Sequence, residues 1–199
     1  LLTAVLAEGQ TELRNAAIEP EIVDLICILQ KMGAGITMEP NRVIFIEGVP
    51  ELSGYTHRAI FDRNEAASWA AAALATGGDV VVGGVKQEEM MTFLNVYRKV
   101  GGAFELLDDG IRFWHPGGTL KPVTIETDVH PGFMTDWQQP LVVALTQADG
   151  VSTIHETVYE NRFGFTDALR KMGADIVVYK DGLADENRRV MRREFEQAA

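Results

Sequence analysis

Two segments of the sequence combine hydroxyls, carboxylates and cations at spacings that could serve chemistry. In the first, residues 130–138 (HPGFMTDWQ), a Pro-Gly pair forces a sharp turn before a helix candidate, and Thr135 and Asp136 fall at the helix start. Free backbone N–H groups and the positive end of the helix dipole gather there. The pair therefore either caps the helix, or presents a carboxylate to a cleft where it could bind or deprotonate a hydroxyl.

The second segment, residues 155–163 (HETVYENRF), lies between a predicted strand and a predicted helix. The carboxyl ends of strands in open α/β sheets are common ligand sites. Arg162 stands near a helix start, which is electrostatically unfavourable because that end prefers anions. Two explanations remain open at this point: an ion pair with Glu160, or an anionic ligand.

Other chemistry is less well supported. Cys27 lies in an apolar run, LICIL, which predicts a buried thiol rather than a nucleophile. The four histidines show no metal-ligand spacing with a carboxylate or with the cysteine, so no metal site is expected.

The predicted elements that position both segments recur along the sequence as a repeat. Residues 31–34 (KMGA) recur letter for letter at 171–174, and a related stretch, KVGGA, lies at 99–103. The three lysines are 68 and 72 residues apart, and a glycine precedes each of them by 21 or 22 residues. Agreement at two landmarks indicates about two and a half copies of one structural unit.

Each full copy has the order strand, helix, strand, helix, strand, strand. The predicted elements of the middle copy are a strand at 55–60, a helix at 63–76 capped by Asp62, a buried strand at 79–82, a helix near 90–100 and a hairpin around 109–110. Those of the last copy are strands at 122–126, 151–156 and 176–179, helices at 135–145 and near 165–172, and a turn at 181–182. The fold class is therefore predicted to be α/β (α+β), with repeated βαβαββ units that pack their helices inward. The charged residues 184–199 are predicted to be a solvated helix or an extension without its partner.

The composition argues against several classes of partner and cellular location. The chain has 199 residues and a net charge of −11, which argues against a nucleic-acid partner but allows a small anion held by local arginines. The longest run without a charged residue is 13 residues, whereas a membrane-spanning helix needs about 20, so no membrane association is expected. A single cysteine favours a reducing, cytoplasmic setting. Because the sequence lacks an initial Met, we expect a piece of a longer protein.

Residues 130–138, 156–163 and 169–174 resemble the enolpyruvyl transferase family, on the branch that uses UDP-N-acetylglucosamine as acceptor. The resemblance extends over about residues 1–183. It implies an inside-out α/β barrel (α-β prism), here incomplete. Residues 1–60 would form the end of the first transferase domain, and residues 62–199 most of the second.

The resemblance also implies an activity. The enolpyruvyl group of phosphoenolpyruvate, a co-substrate, would pass to the 3-hydroxyl of UDP-N-acetylglucosamine with release of phosphate, in peptidoglycan synthesis, and no cofactor is implied. Asp136 and Arg162 would be the catalytic pair, with Asp136 binding the hydroxyl as candidate general base and Arg162 stabilising developing charge. Thr135, Val158 and Tyr159 would complete the substrate-binding set, Val158 through its backbone.

Departures from the family pattern are part of the expectation. Met134, Trp137 and Pro140 differ from the usual residues, while Thr135, Asp136 and Gln138 remain. The family's reactive-cysteine loop would precede residue 1 and a late Asp-x-Arg loop would follow residue 199, so this chain alone is expected to be inactive and to need the remainder of the enzyme. The alternative is a non-catalytic nucleotide-sugar-binding or structural module of the same fold. A sibling enzyme acting on shikimate phosphate is not expected to carry both loops.

Overall fold

The computed structural model describes residues 1–179 and 188–192. The chain divides into two compact units, Leu1–Ile60 and Phe61–Ala199. The assignment of these units to a first and a second transferase domain stays a prediction. No helix among the described residues has the length and apolar character that crossing a membrane requires.

The first unit contains one helix on a three-stranded antiparallel sheet. Its elements are β1 (Gln10–Leu13), α1 (Pro20–Lys31), β2 (Gly35–Glu39) and β3 (Val43–Glu47). The strand order is β1-β3-β2, with both Gln10 and Gly35 opposite Glu47. Pro20 opens α1, where its missing N–H leaves no helical bond unmade. The apolar face of α1 contributes Ile26 and Leu29 to a core separate from that of the second unit.

The second unit contains the middle and last copies of the repeat. The middle copy consists of α2 (Arg63–Thr76), β4 (Asp79–Gly83), α3 (Met91–Val100), β5 (Ala103–Leu107) and β6 (Gly110–Trp114). The last copy consists of β7 (Thr124–Glu126), α4 (Thr135–Leu145), β8 (Val151–His155), α5 (Thr166–Lys171), β9 (Ile176–Val177) and β10 (Arg188–Arg192). The strand orders are β4-β6-β5 and β7-β8-β10-β9, antiparallel except for the parallel pair β7 and β8. Within the described residues the sheets do not close into a barrel.

All three copies share one topology and one helix ending. The last strand of each copy lies between the two strands that flank the helix, as β3, β6 and β10 do. The repeated glycine follows that helix with positive φ: +103° at Gly33, +115° at Gly101 and +94° at Gly173. A side chain is strained in this left-handed conformation, which explains why the glycine recurs.

The core of the second unit is built on α2, α3 and α4. Five alanines of α2 are buried, so α4 can approach closely: Ala66, Ala67, Ala70, Ala71 and Ala73. Asp62 begins α2 by accepting hydrogen bonds from the N–H groups of Asn64 (2.8 Å) and Glu65 (3.1 Å). The rings of Phe93 on α3 and Trp137 on α4 meet edge to face with centroids 5.7 Å apart. This packing fixes the first turn of α4, which carries Thr135 and Asp136.

Several predicted elements are wrong in the middle and first copies. Residues 55–60 form no strand. The strand predicted as buried at 79–82 has one face in solvent, with Val81 57% exposed, because it belongs to a sheet whose other face alone meets the helices. Cys27 is exposed rather than buried, since it lies beside Ile26 on α1 and therefore points away from the buried face.

The last copy also differs from prediction. Met172 falls within the helix predicted near 165–172 but is 75% exposed, since the helix ends at Lys171. Part of the charged tail, residues 188–192, is the strand β10 between β8 and β9, not a helix or a free extension. The predicted turn at 181–182 and the rest of the tail lie outside the described residues.

The packing of α4 predicts that the same substitution, leucine to alanine, lowers stability much more at a buried position than at an exposed one. Leu141→Ala, at a side chain with no exposed surface, is expected to lower the free energy of unfolding by about 2–5 kcal/mol through lost burial and a cavity. Leu106→Ala, at a side chain 49% exposed on β5, is expected to cost less than about 1 kcal/mol. All three tryptophans, at 69, 114 and 137, belong to the second unit, so denaturant unfolding followed by their fluorescence reports on it alone. Equal losses in the two variants would contradict this core.

The buried phenol of Tyr97 leads us to expect that the stability of the second unit depends on pH. Burial, and to a lesser degree the Asp79 carboxylate, raise the pKa of its phenol above the ordinary value of 10.0. The unfolded chain therefore ionises this phenol first, so the stabilising contribution is complete below about pH 10 and is lost as pH rises further. Tyr97→Phe removes this loss, together with a buried hydroxyl that has no hydrogen-bond partner among the described residues. Thermal unfolding at pH 8 and pH 10.5 checks the prediction: the melting temperature of the wild type should fall more than that of Tyr97→Phe.

Candidate active site at the start of helix α4

The turn that leads into α4 is held by main-chain contacts. The Asp128 N–H donates to the Phe133 carbonyl at 2.9 Å, and the Thr92 hydroxyl on α3 donates to the Gly132 carbonyl at 3.0 Å. Met134, extended at φ −62° and ψ 139°, is the residue before the helix, and no side chain caps it. The interpretation of Thr135 and Asp136 as a capping pair is therefore wrong. Both side chains make contacts beyond their own helix.

Glu156 joins the two segments. It follows β8 and its side chain is completely buried. One carboxylate oxygen, Oε2, accepts from the Thr135 hydroxyl at 2.7 Å and from the Gln138 amide. The other, Oε1, accepts from the backbone N–H groups of Val158 at 2.8 Å and Tyr159 at 3.0 Å. One carboxylate thus ties the first turn of α4 to the loop after β8.

Asp136 and Arg162, which belong to the same two segments, form an ion pair. Arg162 Nη2 donates to Asp136 Oδ1, and both side chains are partly exposed, at 30% and 42%. The partner of Arg162 is therefore Asp136, and the ion pair with Glu160, one of the two explanations left open by the sequence, is not the one observed. The Arg162 guanidinium carbon also lies 5.3 Å from the centre of the Tyr159 ring.

Gln139 completes the surroundings of Arg162. In the amide orientation that satisfies its hydrogen bonds, its oxygen accepts from Arg162 Nε at 2.7 Å, and its nitrogen donates to the Asp136 carbonyl at 2.9 Å. The guanidinium is thus held from α4 by a carboxylate and an amide oxygen together. Arginine presents a planar set of donors that suits such a pair of acceptors.

An open cavity of about 530 Å³ lies against this arrangement. It is lined by Gln139 and by residues 159–162, 164 and 165. Arg162 places a cation on the cavity wall and Tyr159 an aromatic ring that is 54% exposed. The chemistry of such a wall suits a ligand that carries both negative charge and a flat or sugar-like surface.

Five sequence-predicted residues come together here. Thr135 and Asp136 lie on α4, and Val158, Tyr159 and Arg162 lie on the loop after β8. Sequence reasoning gave no role to three more residues of the assembly, Gln138, Gln139 and Glu156, although Gln138 is part of the family pattern. Glu156 had a usable signal, since a carboxylate directly after a buried strand needs donors nearby. Gln139 had none, because its role depends on where Arg162 lies. Among the described residues, no three His, Cys, Asp or Glu side chains converge as a metal site.

Comparison with known proteins shows which family the chain resembles. The family model described as EPSP synthase (3-phosphoshikimate 1-carboxyvinyltransferase) matches residues 1–198. UDP-N-acetylglucosamine 1-carboxyvinyltransferase of Protochlamydia amoebophila (strain UWE25) is 50% identical over 199 residues, which is all of this chain and 43% of that protein. The protein of the same name from Chlamydia pneumoniae is 45% identical over 184 residues, 92% of this chain and 40% of that protein. The chain therefore spans less than half the length of these curated relatives.

The fold has a solved counterpart. The enolpyruvyl transferase NikO from Streptomyces tendae superposes with a TM-score of 0.78 at 21% identity, covering 96% of this chain and 44% of that one. This likeness confirms the predicted fold class. The family model covers nearly every residue of the chain. The chain belongs to the EPSP synthase family of enolpyruvyl transferases.

Proposed function

We propose that the protein to which this chain belongs transfers the enolpyruvyl group of phosphoenolpyruvate to the 3-hydroxyl of UDP-N-acetylglucosamine and releases phosphate. The observation that carries the proposal is the pairing of Asp136 with Arg162 beside an open cavity, on the two loops that resemble this branch of the family. The name of the relatives that are 50% and 45% identical supports the same acceptor.

The two charged side chains have complementary roles in this proposal. Oδ1 of Asp136 is bonded to Arg162, so Oδ2 would accept the hydroxyl proton of the sugar. Arg162, held by Asp136 and Gln139, would direct its remaining donors at charge that develops on the reacting groups. Because these donors are fixed before the reaction, little reorganisation would accompany the charge shift.

Two further residues would contact the substrate, and a third would act indirectly. Tyr159 offers an exposed ring at the cavity, which suits stacking on a base or a sugar face. The Val158 N–H is bonded to Glu156, so its carbonyl oxygen is the backbone group that would meet the nucleotide sugar. Thr135 would act through Glu156 and the first turn of α4 rather than by direct contact, because its hydroxyl is committed.

The wider setting follows from this activity. We infer that the two units are the end of a first and most of a second transferase domain, and that activity needs the remainder of the enzyme. The chemistry calls for no cofactor or metal, because phosphoenolpyruvate itself supplies the transferred group. Substrate and product would belong to cytoplasmic peptidoglycan synthesis, and thereby to cell shape and division, without a nucleic-acid or membrane partner.

The experiment is phosphate release by the product of the complete open reading frame that encodes this chain. Release from phosphoenolpyruvate that depends on UDP-N-acetylglucosamine supports the proposal. Release that depends instead on shikimate 3-phosphate would assign the other acceptor of the family. Absence of release with either acceptor would favour a non-catalytic nucleotide-sugar-binding or structural module.

Asp136→Asn tests the proposed base. The amide keeps the shape of the side chain but cannot take a proton, so kcat should fall by about 10²–10⁴-fold, the usual contribution of a general base. Because Asp136 is partly exposed, the melting temperature should change little. The matched control is Asp167→Asn, which alters an aspartate–arginine pair with Arg170 on α5 and should leave kcat within about twofold of wild type. Near-wild-type turnover by Asp136→Asn would rule out its role as the base.

A further inference from the structure

Glu156 has no solvent exposure, and its carboxylate is surrounded by hydrogen-bond donors. The four groups around the carboxylate are the Thr135 hydroxyl, the Gln138 amide and two backbone N–H groups. All four donate, and each carboxylate oxygen accepts from two of them. A buried charge without donors is strongly unfavourable, so each of these bonds offsets part of the desolvation of Glu156.

The bonds are divided between two elements. Both donors to Oε2 lie on the first turn of α4, on either side of Asp136 in the sequence. Both donors to Oε1 lie on the loop that ends at Arg162. The carboxylate therefore sets the spacing between the backbone that carries Asp136 and the backbone that carries Arg162.

The pair of Asp136 and Arg162 cannot set this spacing by itself. Partly exposed ion pairs contribute only about 0–1 kcal/mol and their side chains exchange with water. Gln138 supplies independent evidence of the constraint, because its amide oxygen is buried without a hydrogen-bond partner among the described residues. Its nitrogen is nevertheless turned to Glu156, as the negative charge requires.

We infer that Glu156 is the positioning residue of the active site, a clamp that holds Asp136 and Arg162 at the spacing the transfer needs. The inference rests on the proposed function. Catalytic groups displaced by about 1 Å can lose on the order of 10²-fold in rate without losing substrate. Loosening the clamp should therefore lower kcat far more than it raises KM.

The test compares Glu156→Gln with the double variant Glu156→Gln, Gln138→Glu in the complete protein. The single variant turns an NH₂ group toward donors and should lower kcat by about 10²-fold while KM for UDP-N-acetylglucosamine changes by less than about threefold. The double variant exchanges the amide and the carboxylate across the same contact. It should recover at least about tenfold of the lost kcat, because a donor and an acceptor face each other again.

Ser152→Ala is the matched structural control. It removes a buried hydroxyl on β8 that accepts from the Val123 N–H at 3.2 Å, away from both loops. It should lower the melting temperature without lowering kcat of the folded protein. The inference is overturned if Glu156→Gln keeps kcat within about threefold, if its loss only follows the folded fraction, or if the double variant recovers nothing.

Hydrogen exchange separates this inference from the proposed function. In Glu156→Gln, amide exchange should accelerate in residues 134–139 and 156–160 together, whatever reaction the protein catalyses. If the wild type shows no transferase activity, the proposed function fails, yet joint acceleration still supports the clamp. Unchanged exchange in both segments, or acceleration in one alone, overturns the clamp.

Discussion

An ionised carboxylate out of contact with water needs a donor for each of its lone pairs, and the neighbourhood of Glu156 is arranged by that need. The strand β8 delivers the carboxylate into the interior, and the chain after it turns back at once so that two of its own N–H groups reach Oε1. The helix α4 must then arrive with its first turn facing Oε2. The approach of α4 depends in turn on the alanines of α2 and on Trp137, which let the helices pack closely. The partly exposed pair of Asp136 and Arg162, which we propose to be catalytic, is thus supported by buried contacts.

The parts of the fold that the sequence predicts well depend on local physics. The glycine after each helix, the Asp62 cap and the Asp109-Gly110 hairpin need only their immediate neighbours, and all occur as expected. Predictions that depend on distant parts of the chain did less well. Val81 has a β-branched neighbourhood typical of an interior strand, but its exposure is decided by which face of the sheet the helices cover. The charged residues 188–192 are a strand because β8 and β9 offer unpaired edges, which no local pattern reveals.

In the site, too, the predictions that need only local sequence did better than those that depend on distant contacts. Residue types predicted which side chains are chemically capable, and the resemblance added Val158 and Tyr159. Neither could identify the partner of Arg162, because Asp136 and Arg162 are 26 residues apart and meet only after α4 and β8 have packed. The expectation that Thr135 and Asp136 cap their helix was reasonable, since isolated helices favour such residues there. In the folded chain Met134 is the residue before the helix, so Thr135 and Asp136 lie inside the first turn, and the Thr135 hydroxyl donates to Glu156.

The placement of β3, β6 and β10 has a consequence for how the chain is made. Each is the last strand of its copy in the sequence and a central strand in its sheet. During synthesis from the amino terminus, the two strands between which it lies therefore each keep an unpaired edge until this final strand leaves the ribosome and joins them. Each copy of the repeat therefore also folds as a unit, and its sheet is complete only when the strand at its carboxyl end has been added. For the copy that carries the candidate site, that strand is β10, so the loop after β8 precedes the strand that completes its own sheet.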